Sequence, residues 1–322
     1  MPSKIDMAQN KAFVPKIKGL GGTILDMRRL VDPKDQLWSA TNPSIAKDGK
    51  GNFAVTIRSS NYIILSNGQL HVTSGGNIKS HVWFSELDKS FKCTNLRKID
   101  LSYAGIEIDR GLEDPKLIWK DKHWQFTAVM LEDHTPVARM VMCHLDKKAT
   151  HVTHMTRFPG IDFRRPEKNW AFAPDDNPNF DFIYGPNATI KENVLTTYMN
   201  DNPKISALRG NTNLLRLDDS SYLGVSHRMW GKEFTAYEPN IFGMKKGYDK
   251  NYIHYFIKYD NNGMIVAMSE GFQFFASGIE FAAGLAENKD QFIISYGSKD
   301  VSSHLAFLPK NSVLKSLVPV VQ

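Results

Sequence analysis

Short apolar runs, rather than long amphipathic ones, organise this chain. Segments of four to eight residues rich in Val, Ile, Phe, Tyr and Thr follow one another. Turn residues separate them, as in Lys47-Asp48-Gly49-Lys50-Gly51-Asn52 and Asp260-Asn261-Asn262-Gly263. No long segment places apolar residues at the helical period. Runs of this length between Gly, Asn and Asp clusters predict short antiparallel strands, and so an all-β protein.

The runs repeat in a fixed order: a polar cluster, an apolar strand, a turn and a second apolar strand. The first copy is Asn42-Pro43-Ser44-Ile45 with Phe53 to Arg58, and the second is Glu113-Asp114-Pro115-Lys116-Leu117-Ile118 with Trp124 to Val129. The third is Glu167-Lys168-Asn169-Trp170-Ala171-Phe172 with Phe180 to Tyr184. The fourth is Gly210 to Leu215 with Tyr222 to His227, and the fifth is Glu280 to Leu285 with Phe292 to Tyr296. Five copies predict a five-bladed β-propeller over residues 40–322, with residues 1–39 packing on the ring or closing it. If the strand after each polar cluster is innermost, the clusters converge at one end of the axis. Pro43 and Pro115 are expected at the first residue of a strand, where no ladder hydrogen bond is lost. A sandwich or two β domains would hold the hairpins but accounts less well for their common order.

Length agrees with a repeat. At 322 residues the chain is long for one sandwich core, whereas each propeller unit buries only its neighbours' faces. The formal net charge of +6 suits phosphate or a nucleotide-linked donor. The basic residues are scattered, with only pairs at Lys147-Lys148 and Lys245-Lys246, which argues against nucleic acid. Cys93 and Cys143 fit no metal or redox spacing and read as free thiols of a reducing compartment, with a single disulfide left open. Met1 to Lys18 holds no apolar signal core, and no apolar run reaches membrane-spanning length. The expectation is a cytoplasmic protein with no membrane partner. Phosphate-loop, dinucleotide, HExxH, CxxC and GxSxG templates are all missing. His151 and His154 have no partnered cluster, so neither metal nor cofactor is expected.

Candidate chemistry sits in the polar clusters. Glu113 and Asp114 precede a strand, where alternation would turn only one of them to the axis. The other is left to hold a backbone amide or a basic partner. A carboxyl in a water-poor site can keep its proton and act as general acid; a solvated turn is the alternative. Glu167, Lys168 and Asn169 beside Trp170 suit a sugar or phosphate site, or else form a surface salt bridge over a core Trp. His227 and Arg228 end a strand and could bind an oxyanion. Gly297 permits a tight turn that would aim Tyr296 and Asp300 inward, although a plain turn reads equally well. Asn42 and Arg58 complete a ring of polar groups.

Taken in order, these pieces resemble the five-bladed propellers of glycoside hydrolase family 130, the β-mannoside phosphorylases, and the related β-1,2-mannosyltransferases. Asn42-Pro43 with Arg58, Glu113-Asp114-Pro115-Lys116, Lys168, Tyr222 to His227, and Tyr296-Gly297 with Asp300 carry the resemblance, over about residues 40–307. It implies inverting glycosyl transfer on a sugar or oligosaccharide substrate, with Asp114 as general acid. Inorganic phosphate or an activated-sugar donor would be held among Arg58, Lys168, His227, Arg228 and Tyr296, with Asp300 on sugar hydroxyls. Mannose follows from the resemblance alone. The sequence departs from the family pattern at Lys116, where the motif closes on Arg, and in Glu167 to Trp170. An inverting hydrolase needs instead a base roughly 6.5–9.5 Å from the acid, a place open to Glu280 or Glu167. A glycan-binding propeller without turnover is the third reading.

Overall fold

A computed structural model describes residues 16–26, 38–64, 70–73, 76–103, 108, 110–131, 138–158, 168–173, 177–185, 188–198, 203–230, 233–236, 245–248, 251–275 and 278–320. Five antiparallel sheets form the blades of a five-bladed propeller. Blade I runs Ser39–Lys47, Phe53–Ser60, Ser80–Leu87, Arg97–Lys98, and blade II runs Leu112–Lys120, His123–Leu131, Ala138–Leu145, Val152–Arg157. Blade III is smaller: Ala171–Phe172, Phe182–Gly185, Ala188–Lys191, Val194–Thr197. In blade IV the inner strand is split into Leu208–Asn211 and Leu215–Arg216, both on Tyr222–Trp230. Asn251–Tyr259, Ile265–Met268 and the C-terminal Val318–Pro319 follow outward. Blade V runs Glu280–Asn288, Gln291–Ser298, Ser302–Pro309. Its outermost strand is Thr23–Asp26, which enters from the other end of the chain and pairs with Ser302–Pro309.

Strand alternation sends successive side chains to opposite faces, and in a propeller both faces meet a neighbouring blade. Leu117, Phe126, Ala128 and Met130 therefore join the core between blades I and II. Ile118 and Val129, one position away, join Trp170, Phe172 and Phe182 between blades II and III. The other three interfaces have cores of the same kind. Because both faces are covered, the strands read as near-continuous apolar runs.

The inner strands approach one another closely. A Cβ on Gly284 of blade V would stand 2.4 Å from the Ile45 nitrogen of blade I. Polar side chains bridge this region. Ser44 Oγ donates to the Ala283 carbonyl of blade V at 3.1 Å and accepts the Leu117 N–H of blade II at 2.9 Å. Asn213 of blade IV donates to the Leu117 carbonyl at 3.1 Å and accepts the Phe172 N–H of blade III at 3.3 Å.

Pro43 and Pro115 lie within their strands, not at the first residue. The ladder shifts register between Thr41 and Ser44 and between Glu113 and Lys116, so each proline sits in a bulge where no N–H is required. Cys93 and Cys143 are both free thiols. Among the described residues no helix is long and apolar enough to cross a membrane.

Gly284→Ala is expected to destabilise the protein by about 1–3 kcal/mol through overpacking against Ile45. Gly19→Ala, whose Cβ would meet nothing within 4 Å, serves as the control. Thermal unfolding of the two variants checks this, and an equal midpoint would contradict the tight blade V to blade I contact.

Candidate active site

One end of the axis gathers the polar residues. It is the end where each inner strand begins and each second strand finishes. The inner strands of blades I, II, IV and V all break register there, at Thr41/Ser44, Glu113/Lys116, Arg209/Asn211 and Ala282/Gly284. Left-handed backbone recurs with them, at Asn42 (φ 46°), Asp114 (φ 50°), Asn169 (φ 67°) and Gly210 (φ 60°). Asn and Asp are the side-chain-bearing residues that tolerate this conformation best, which explains their choice at three blades. At the fourth, Gly210 leaves the space to His227, whose Cε1 would lie 2.7 Å from an added Cβ.

The bulge at Asp114 overturns the expectation that only one carboxylate turns inward. Arg58, 3% exposed, donates from Nη2 to Glu113 Oε1 at 2.8 Å and from Nη1 to Asp114 Oδ1 at 3.4 Å. Its Nε donates to Ser80 Oγ at 3.0 Å, and the Tyr62 ring lies 5.5 Å away. Burial opposes the guanidinium charge, but Glu113, Tyr62, Asp114 and Asp300 outweigh it and raise the pKa. Asn42 Nδ2 donates to the same Asp114 Oδ1 at 2.7 Å. Thr41 Oγ1 donates to Asn42 Oδ1 at 2.9 Å, which fixes the orientation of that amide. Both donors thus fall on Oδ1, and among the described residues no hydrogen bond reaches Asp114 Oδ2.

Asp300 comes in from the turn after the second strand of blade V, with φ 54°. Its Oδ2 accepts Tyr62 Oη at 3.3 Å. Burial raises its pKa; Arg58 and the Tyr62 bond work against this, while Asp114 and Glu113 add to it. Burial also raises the pKa of Tyr62.

Facing this acidic half is a basic one. His227, 5% exposed, stacks on Tyr252 with ring centroids 4.2 Å apart and planes 9° from parallel. Burial, then the charges of His254, Lys116, Arg209 and Lys168, hold its pKa well below the usual imidazole value. His227 is therefore neutral near pH 7 and acts as a hydrogen-bonding ring. Tyr252 joins the halves. Burial raises its pKa, Asp300 and Asp114 add to this, and Arg209 lowers it.

Asn42, Arg58, Glu113, Asp114 and Asp300 are thus brought together, and Lys168 acts on His227 across from them. Asn169 is half-buried beside Lys168 and shares the left-handed backbone of Asn42 and Asp114. Three of the expected site residues lie elsewhere. Tyr296 is 0% exposed: Ser295 and Gly297 face blade I, so alternation turns Tyr296 back into the blade IV–V core, stacked on Phe274 at 4.0 Å. Glu280 is 1% exposed, and its two oxygens accept the Phe274 and Phe275 N–H groups, each at 2.9 Å. It braces a loop. Arg228 follows His227 and so points to the opposite face, exposed and beside Tyr255. Glu167 lies outside the described residues. Tyr62, Arg209 and Tyr252 were not singled out in the sequence. Tyr252 lies two positions before His254, the register partner of His227, so strand pairing was the only signal for it. Among the described residues no group of three or more His, Cys, Asp or Glu could hold a metal ion.

Arg58→Met is expected to lower stability by about 1–3 kcal/mol, because it leaves the half-buried Glu113 and Asp114 without their cation. Asp300, whose raised pKa the Arg58 charge holds down, would then keep its proton to still higher pH in the folded state, so the deficit grows as pH rises from 5 to 8. Denaturant titrations at both pH values test this; an equal deficit at each would contradict the shared role of Arg58.

No family model matches the chain, and no curated protein matches it. Solved structures do. A β-1,2-mannobiose phosphorylase from Listeria innocua aligns with a TM-score of 0.59 at 12% identity, covering 91% of this chain and 96% of that one. A GDP-Man-dependent mannosyltransferase from Leishmania mexicana gives 0.55 at 13% identity, over 96% and 94% of the two chains. A mannose phosphorylase from Leishmania mexicana, in complex with phosphate ion, gives 0.56 at 11% identity, over 99% and 97%. The likeness is one of fold.

Proposed function

We propose that this protein is a carbohydrate-active enzyme that transfers a sugar, mannose-like in class, with inversion between an anionic donor and a hydroxyl acceptor. One observation carries the reading: a carboxylate held by one oxygen, Asp114, faces a cationic cluster across Tyr252 on the site end of the propeller. The acidic half suits sugar hydroxyls, with Asp300 and Glu113 as acceptors. The basic half, with Lys168, Arg209 and the neutral His227 ring, suits a phosphate or diphosphate group. The fold neighbours include phosphorylases and a GDP-Man-dependent transferase, which supports both donor types.

In the transfer direction the acceptor oxygen attacks the anomeric carbon, and the bond from that carbon to the donor's phosphate oxygen breaks. Asp114 Oδ2 takes the acceptor's proton, and the phosphate or nucleotide leaves with the electron pair, its charge held by the basic half. In reverse, Asp114 gives that proton to the leaving sugar oxygen while phosphate attacks from the opposite face. No second carboxylate is needed. Hydrolysis would need one to activate water; of the two sequence candidates, Glu280 has both oxygens on backbone amides and does not serve, and Glu167 lies outside the described residues. The free thiols Cys93 and Cys143 suit a reducing, cytoplasmic setting.

The test is a donor screen. Sugar 1-phosphates and nucleotide sugars are offered with mixed saccharide acceptors, and phosphate or nucleotide release is followed. Release is expected with at least one donor and should fall about 10²–10⁴-fold in Asp114→Asn. No release with any donor, together with unchanged sugar binding in the variant, would leave a glycan-binding propeller.

A further inference from the structure

Two positions beyond Asp114, the inner strand of blade II buries a lysine. Lys116 is 2% exposed, and its Nζ donates to the Trp170 carbonyl of blade III at 3.0 Å. Between the two, the Pro115 carbonyl accepts Thr56 Oγ1 of blade I at 2.7 Å. The strand is therefore tied to blade I on one side while its lysine reaches blade III on the other, under the bulge that carries Asp114.

The charged and titratable groups around Lys116 come from several elements. Asp114, on its own strand, favours the cation. Arg58 of blade I is engaged with Asp114 and Glu113. From blade IV, His227 feels the Lys116 charge together with those of Arg209 and Lys168. The facing residue on the second strand of blade II, Thr127, is neutral, as is the Trp170 carbonyl of blade III. Burial is the largest influence and brings the ammonium down to about 7, against the opposing pull of Asp114. An arginine at this position would stay charged at any working pH.

On the reading that the basic half of the cleft holds an anionic donor, we propose that Lys116 is a positioning residue whose ammonium charge, present or absent, sets how tightly that half binds an anion. Its pH signature is distinctive. His227 is held neutral and adds no change above pH 6. Asp300, whose pKa is also raised, would weaken anion binding as it ionises, but it would do so equally with Lys or Arg at position 116.

The probe is sulfate, a dianion throughout the range, titrated calorimetrically into the full-length protein between pH 6 and 9. Wild-type affinity is expected to fall about tenfold over this range, with its midpoint near pH 7. Lys116→Arg should keep only the part of this fall that Asp300 causes, and Lys116→Met should bind more weakly than wild type at pH 6 and equally at pH 9. Wild-type binding that is flat with pH, or a Lys116→Arg profile matching that of wild type, would overturn the role of Lys116 while leaving the anion site standing. No sulfate binding at any pH would overturn it together with the donor reading. Should Lys116→Met fail to fold, the comparison of wild type with Lys116→Arg still decides.

Discussion

The inner strand of each blade has one sheet neighbour and one open edge, and that edge points at the crowded axis. Buried backbone groups there must find partners outside their own sheet. Ser44 and Asn213 meet this demand by joining blades V, I and II, and blades II, III and IV, respectively. Ser295 adds a bond from blade V by accepting the Ile45 N–H at 2.9 Å. The same requirement explains why Ser44, Thr56 and Asn213 are buried polar residues along segments that are otherwise apolar. Short side chains that can donate and accept are what this narrow space admits.

The bulges turn this architecture into a site. Without them, alternation would direct Glu113 and Asp114 to opposite interblade cores, where one would need a partner away from the axis. With a left-handed residue at the bulge, both reach one guanidinium, and Asp114 turns an oxygen to the cleft. Left-handed backbone costs of order 1–3 kcal/mol at a non-glycine residue, and Asn and Asp keep that cost low. The conformation persists because prolines follow at two of these sites and interblade hydrogen bonds, from Asn42 to Asp114 and from Thr56 to the Pro115 carbonyl, tie the two bulges together.

Electrostatics then divides the cleft. Arg58 gathers Glu113 and Asp114, and the Tyr62 hydroxyl links Asp300 to the same group. On the side of Tyr252, burial first, then His254 and the charges of Lys116, Arg209 and Lys168, keep His227 neutral. In a partly desolvated cleft such a separation of charge acts more strongly than it would in water.

Much of this was already written in the sequence. The five copies of polar cluster, strand, turn and strand determined the number of blades, because each unit can bury its apolar residues only against another like it. Asn42, Arg58, Asp114, His227 and Asp300 were legible because each opens or closes a strand at the same place in its copy. What the tertiary structure decided is which way each side chain turns. Both acidic residues at 113 and 114 face Arg58 because a bulge breaks the alternation, and no local pattern marks a bulge apart from the proline. Tyr296 and Arg228 turn away because no bulge intervenes and alternation holds. Tyr62, Arg209 and Tyr252 reach the cleft only through strand pairing and loop placement across blades, and contacts of that range lie in the register of the folded sheets.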